Sequence, residues 1–248
     1  DMSAAHYEAA VVQTKAVRAL AREAGVVFTQ DGHWKGSVSR AEKLGILGPD
    51  ALLSHAIDIT PEEIRIIADT GTRIAHNPSA IASILGRCPA IELIEAGAVV
   101  AIGSDATAPD RSADMFRHMQ QCMHYHRTHF RDPSVLPPGK SLEMVTIDAA
   151  TALGLDRDLG SLEIGKKADI VMLRANDLNL FPVHDPVYSI VEQANAGNVD
   201  TVIVDGAILK RGGKLRFPPG LLRQRMSELS ASVTRLMNEA NYKVARAS

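Results

Sequence analysis

Four stretches of the chain share one pattern: a short apolar run that stops abruptly in polar or ionisable residues. Val26-Val27-Phe28 leads into Thr29-Gln30-Asp31-Gly32-His33, and Ala51-Leu52-Leu53 leads into Ser54-His55. Arg73-Ile74-Ala75 leads into His76-Asn77, and Val99 to Ile102 leads into Gly103-Ser104-Asp105. Apolar runs of this length without alternation read as strands covered on both faces, the habit of parallel sheets. Helical segments separate them at about 36–47, 61–69 and 89–96, with Thr60 as N-cap, Pro61 at N1 and Pro89 at N1. An Ala-rich helix over about 3–24, closed by Gly25, precedes the first run. Strand alternating with helix predicts βα units and a parallel sheet. Four successive units, each closing on a polar residue, predict half of a (β/α)8 barrel seen from its catalytic rim.

After about residue 155 the pattern changes. "KKADIVMLR" and "NVDTVIVDGAILKRGGKL" are short β runs, and Asp205-Gly206 is a two-residue hairpin signal. "DPVYSIVEQANAG" between them predicts a short helix. The tail over about 219–240 predicts an amphipathic helix through Leu222, Met226, Leu229, Val233 and Leu236. The chain thus divides into a barrel part (residues 1–155), a β-rich part (156–215) and a terminal helix (216–248).

Composition narrows the partners. With 248 residues, 46% hydrophobic, the chain can bury a substantial core. Lys+Arg 27 against Asp+Glu 29 gives a net charge of −2 with no basic run, which argues against nucleic acid and anionic membrane. No apolar stretch reaches the length of a membrane span and no signal peptide opens the chain, so a cytoplasmic location is expected. Two cysteines, Cys88 and Cys122, make no disulfide framework, and a reducing compartment fits them. The first residue is Asp1 and helix-like sequence follows at once, from which a missing true beginning is expected.

Three strings, "LLSHAIDITPEEIRIIADTGTRIAHNP", "IELIEAGAVVAIGSDATAPDRSADMF" and "TIDAATALGLDRDLGSLEIGKKADIVML", together resemble the amidohydrolase superfamily, in its branch of triazine hydrolases and purine or cytosine-type deaminases. The resemblance implies a (β/α)8 barrel of which strands 5 to 8 are present here, followed by the C-terminal part of a small β-sandwich. It implies metal-assisted hydrolysis of a C–N or C–Cl bond in a small heterocyclic substrate. One divalent ion, zinc most often and iron in some members, would lower the pKa of a water. Asp105 matches the family's last metal ligand, which also accepts the water's proton. His55 matches the strand-6 histidine that hydrogen-bonds the water or substrate. His76 and Asn77 match a strand-7 "HNP", read either as substrate-facing or as a structural hydrogen bond at the rim.

The sequence also departs from the family. No His-x-His after an apolar strand occurs in it, so the family's strands 1 to 4 are absent from these residues. The strand-5 metal histidine should fall near the end of "VVFTQDGHW". Asp31 is the closer match in position and His33 in chemistry, and both stand as candidate ligands. The acid that the branch's deaminases carry three residues further on is Trp34 or Gly36 here. "HMQQCMHYHRTH" sets His118, Cys122, His126 and His129 along one helical face, either a second metal site or, more simply, a solvent-edge or interface stripe. Asp58, Glu62 and Glu63 read as helix-start acids favourable against the dipole. An alternative to the enzyme is a catalytically incomplete half-barrel with an assembly role. Half a barrel exposes two edge strands, so a homo-oligomer is expected.

Overall fold

The computed structural model describes residues 4–80, 85–105, 112–218 and 220–239, with side chains from residue 7 onward. Helix α1 (Ala4–Ala24) leads into four strands, β1 (Phe28–Gln30), β2 (Ala51–Ser54), β3 (Arg73–His76) and β4 (Val100–Ile102). All neighbours pair in parallel in the order β1-β2-β3-β4, with Leu53 beside Ile74 and His76 beside Ile102. The connections carry α2 (Ser37–Lys43), α3 (Pro61–Thr70), the single turn α4 (Pro78–Ala80) and α5 (Ala90–Glu95). Sequence and structure agree on α3 in detail. Thr60 and Glu63 form a capping box, Pro61 opens the helix, and Gly71 closes it at φ 68°. Pro89 was expected as the first helical residue of α5. Its ψ of 58° puts it outside the helix, at the N-cap.

The core lies between the strands and the helices. Leu53, Ile74, Val100 and Ile102 from the sheet meet Ile67, Leu93, Met119 and Met123, all buried. Each such side chain contributes about 1.5–3 kcal/mol on leaving water. Helix α6 (Met115–Phe130) covers β4 and the end of β3, capped by Asp114, whose side chain accepts from Phe116 N. Helices α7 (Pro138–Glu143) and α8 (Ile147–Ala152) close this end of the core. At the other edge Arg18 of α1 is buried; its Nε donates to the Ile46 carbonyl at 2.9 Å and its guanidinium forms a fork with the Asp50 carboxylate.

Glu63 proved to be more than a dipole-favouring acid. Its carboxylate is buried and accepts from Thr60 N (3.1 Å) on its own helix and from Gly36 N (3.0 Å), Val38 N (2.9 Å) and Ser39 N (3.2 Å) at the start of α2. These are donors that the first turn of α2 leaves without helical partners. Burial pushes the Glu63 pKa up, but the four backbone donors outweigh it and hold the carboxyl below its usual range.

The second sheet is antiparallel, in the order β5 (Ile170–Leu173), β6 (Val199–Val204), β7 (Ala207–Arg211) and β8 (Lys214–Leu215). Asp205 and Gly206 both have positive φ (48° and 79°), the signature of a type I′ hairpin turn. The expected short helix before β6 is a turn of α-helix, α9 (Pro186–Tyr188), that widens into a π-helical turn over Ser189–Gln193. The tail forms α10 (Leu221–Glu239), and its apolar stripe of Leu222, Met226, Leu229, Val233 and Leu236 is exposed. Among the described residues no helix is long and apolar enough to cross a membrane.

Replacing Glu63 tests the capping role. Glu63→Ala strands buried donors and should cost about 3–5 kcal/mol of unfolding free energy, and Glu63→Gln about 1–2 kcal/mol. Because the folded pKa lies below the unfolded one, the wild-type contribution is complete above about pH 4.5 and is lost as pH falls through the folded value. Urea unfolding at stepped pH should show that acid-side loss in the wild type and its reduction in Glu63→Gln.

Candidate functional site at the carboxyl ends of the strands

Parallel strands deliver their last residues to one rim, and here all four of those ends meet. His55, following β2, places Nε2 3.0 Å from Asp31 Oδ1, beyond β1, and 3.7 Å from Asp105 Oδ2, beyond β4. Asn77, following β3, places Nδ2 3.2 Å from His55 Nδ1. An amide N–H can only donate, so it selects the tautomer of His55 with a bare Nδ1 and an Nε2–H aimed at the two carboxylates. The Ser54 hydroxyl donates to Asp31 Oδ1. That bond, with the nearby His55 and against some burial, holds the Asp31 carboxyl below its ordinary range.

The backbone at this rim is bent out of the comfortable regions. His55 (φ 75°), Ala56 (51°), Asp58 (48°) and Asp105 (57°) all adopt positive φ without being glycine. Such residues cost of order 1–3 kcal/mol each and persist where the surroundings over-determine them. Hydrogen bonds supply that determination: His55 N donates to Ala75 O at 3.0 Å, Ile57 N to His33 O at 2.8 Å, and Gly103 N to His76 O at 2.8 Å. Gly103 is required for a further reason, since a Cβ there would lie 2.4 Å from Asn77 Oδ1 and displace the amide that orients His55. Residues 106–111, which follow Asp105 in the sequence, lie outside the described residues.

The two strand-5 candidates part company. Asp31 turns toward His55, whereas His33 is buried and turns toward α2, its Nδ1 3.2 Å from Ser37 Oγ. Burial pushes the His33 pKa down to about 4, so the ring is neutral near pH 7. The "HNP" pair divides as well. His76 shares the face of β3 with buried Ile74 and so points into the helical layer, where its Nε2 lies 3.3 Å from His126 Nε2 of α6. Asn77, one residue later, reaches the rim.

The helical face of "HMQQCMHYHRTH" is mostly interior. His118, Cys122 and His126 are buried and only His129 is exposed, because α6 packs this face on β4 and α4 rather than presenting it to solvent. Sequence reasoning also missed Ser54 and Gly103. Ser54 could have been suspected as the residue beside the rim histidine, but the need for glycine at 103 depends on a contact with residue 77. A cleft of about 500 Å3 lined by Val27, Pro49, Asp50, Arg73 and Gly154 opens at the opposite, amino-terminal end of the strands. It holds no convergent imidazole and carboxylate, so the carboxyl-end rim is the candidate site.

The rim donors fit a divalent ion in part. Asp31 and Asp105 offer carboxylate oxygens, a donor type that zinc or iron takes, on either side of the His55 Nε2–H. Among the described residues, however, three donors lie within 4.8 Å of one another only at His76, Cys122 and His126. The arrangement can hold a cation between carboxylates, accept a proton on Asp105, and donate a hydrogen bond from His55.

Known proteins place the fold. The model of the amidohydrolase family matches residues 9–209. A 5-methylthioadenosine/S-adenosylhomocysteine deaminase of Desulforudis audaxviator is 35% identical over 179 residues, 72% of this chain and 42% of that protein. A 5'-deoxyadenosine deaminase of Methanobrevibacter smithii is 34% identical over 176 residues, 70% of this chain and 40% of that protein. Among solved structures, an adenosine deaminase of Xanthomonas campestris with bound zinc superposes with a TM-score of 0.84 at 23% identity, covering 94% of this chain and 55% of that one. Atrazine chlorohydrolase TrzN of Arthrobacter aurescens, complexed with zinc, superposes at 0.77 and 23% identity, covering 89% and 51%. The chain thus spans about half the length of the proteins it matches. The structural likeness shows the α/β fold of the amidohydrolase TIM-barrel proteins, and the match to the family model over most of its length shows that this chain belongs to the amidohydrolase family.

Proposed function

We propose that the chain is the strand 5 to 8 portion of a (β/α)8 metal-dependent hydrolase that removes an amino group from a ring carbon of a small heterocyclic substrate, adenosine-type nucleosides being the first class to test. In this reading residues 1–155 are barrel, 156–215 the C-terminal part of the sandwich and 216–248 a terminal helix. The observation that carries the reading is His55 Nε2 held between the carboxylates of Asp31 and Asp105 at the carboxyl ends of parallel strands. The relatives' names, two nucleoside deaminases, support the substrate class.

Asp105 and Asp31 would hold the ion; His33, turned into α2, is the weaker candidate ligand. A bound divalent ion, zinc before iron, supplies acidity to a water at neutral pH. Asp105 takes the proton of that water as its oxygen attacks the ring carbon, and returns it to the departing nitrogen, which leaves as ammonia. His55 donates from Nε2 to the attacking oxygen or to the substrate, oriented by Asn77. His76 takes no part at the rim. The cytoplasm as compartment, a small molecule as the sole partner class and a homo-oligomeric assembly belong to the same proposal.

A second reading, a half-barrel with an assembly role, is favoured by two features. Asp31 stands where the family's strand-5 histidine is expected, and β1 and β4 each pair with a neighbouring strand on one side only among the described residues. Ammonia release from adenosine-type nucleosides by zinc-loaded protein separates the two. Release above the uncatalysed rate supports the hydrolase, and its absence in folded, metal-loaded protein supports the assembly reading.

In the active enzyme Asp105→Asn should lower kcat by at least about 10³-fold, with KM changed less, since asparagine is nearly isosteric but takes no proton. His55→Asn should also be severe, by about 10²-fold or more, with metal content kept. Steady-state rates beside metal analysis check both.

The two strand-5 candidates are separated in the same way. Asp31→Asn should lower rim metal occupancy, whereas His33→Asn should keep the metal and lower thermal stability instead. Occupancy unchanged in Asp31→Asn and lost in His33→Asn would reverse the assignment.

A further inference from the structure

Behind the rim, on the helical side of β3, the core contains a polar cluster that the proposed reaction does not use. His76 at the end of β3 and Cys122 and His126 on α6 are all buried, and their donor atoms lie within 4.8 Å of one another. Cys122 and His126 stand four residues apart, one above the other on a single face of α6. The His76 and His126 rings are tilted at 60° rather than stacked, with Nε2 atoms 3.3 Å apart. In a tetrahedral zinc site with Zn–N distances of about 2.0–2.1 Å, two histidine nitrogens sit about 3.3–3.4 Å apart. The pair already has that spacing.

Packing alone gives little account of these groups. The Nε2–Nε2 contact uses two of four ring nitrogens, and Nδ1 of each ring has no partner among the described residues. An ion on the two Nε2 atoms would leave each Nδ1 as it is, so the unpartnered Nδ1 atoms mark the cluster as poorly explained by packing without being ligands themselves. Both cysteines of the chain are buried and free, and Cys122 is the one whose sulfur shares the cluster. The nearby positive charge of Arg87 is already neutralised by its two-pronged ion pair with Glu92.

We propose that His76, Cys122 and His126 bind one divalent ion of the zinc class, and that this second, structural centre ties the end of β3 to α6. Two imidazoles and a thiolate select a borderline-soft ion such as zinc over magnesium or calcium. All three donors are buried behind the rim, out of reach of a substrate, so the role of the site is mechanical. It would anchor His76, and through the next residue Asn77, which orients His55. The centre is separate from the rim and does not require the proposed hydrolysis to be right.

Cobalt(II) reports thiolate ligation directly, and the rim can be silenced. Full-length protein carrying Asp31→Asn and Asp105→Asn, stripped with chelator and titrated with cobalt(II), should bind one equivalent. It should show an intense near-ultraviolet thiolate-to-cobalt band and the strong visible bands of tetrahedral cobalt. Cys122→Ser in that background should abolish the thiolate band, and Cys88→Ser, as the control cysteine, should leave it in place. Should Cys122→Ser fail to fold by near-ultraviolet circular dichroism, His126→Gln replaces it, with loss of the tetrahedral bands expected. No thiolate band in the folded parent, or a band that survives Cys122→Ser intact, would overturn the proposal.

Discussion

The Glu63 carboxylate is the constraint on which the rim depends. One acid on α3 gathers four backbone donors, three of them from the opening turn of α2, and so pins α2 against α3. The segment between β1 and α2 is thereby held at both ends, and that segment carries Asp31 and His33. Ser37, in the first turn of α2, receives the His33 ring and accepts from Trp34 N at 2.9 Å. His33 is drawn inward, and Asp31 is left to face His55. A buried charge is tolerated here because every direction it faces supplies an N–H, which is what makes a buried carboxylate a fastener rather than a liability.

Strand alternation does the rest of the sorting. Residues of β3 face the helical layer and the opposite face of the sheet in turn, so His76 and Asn77, adjacent in the chain, serve two different environments. His76 joins the interior of α6, and Asn77 hydrogen-bonds His55. The positive-φ positions after β2 and β4 show where the chain leaves the regular ladder to aim side chains at the rim. Gly103 allows β4 to pass close enough to the Asn77 amide for that aim to hold.

The C-terminal part of the chain behaves differently from the parallel half. The antiparallel sheet leaves much of its apolar surface open, including Val171, Met172 and Leu209, and the stripe of α10 is exposed along its length. Surface of this kind is characteristic of elements that meet other protein. The parallel sheet, by contrast, is well covered by its helices and is the firm part of the fold.

Much of this was legible in the residues alone, because local rules decide it. Unbroken apolar runs ending in polar residues marked the four parallel strands, Thr60-Pro61 and Gly71 marked the limits of α3, and Asp205-Gly206 marked the hairpin. Each depends on backbone preferences within a few residues. His55 and Asp105 were legible as neighbours at one rim because strand ends in parallel folds share that rim. What the chain could not show on its own were the pairings made across distance. Asp31 rather than His33 faces the rim because Glu63 and Ser37 hold α2. His76 turns away from it because α6, 50 residues later in the sequence, brings His126 to its ring. Spacing along a chain determines which face of its own element a side chain occupies; only packing decides what that face meets.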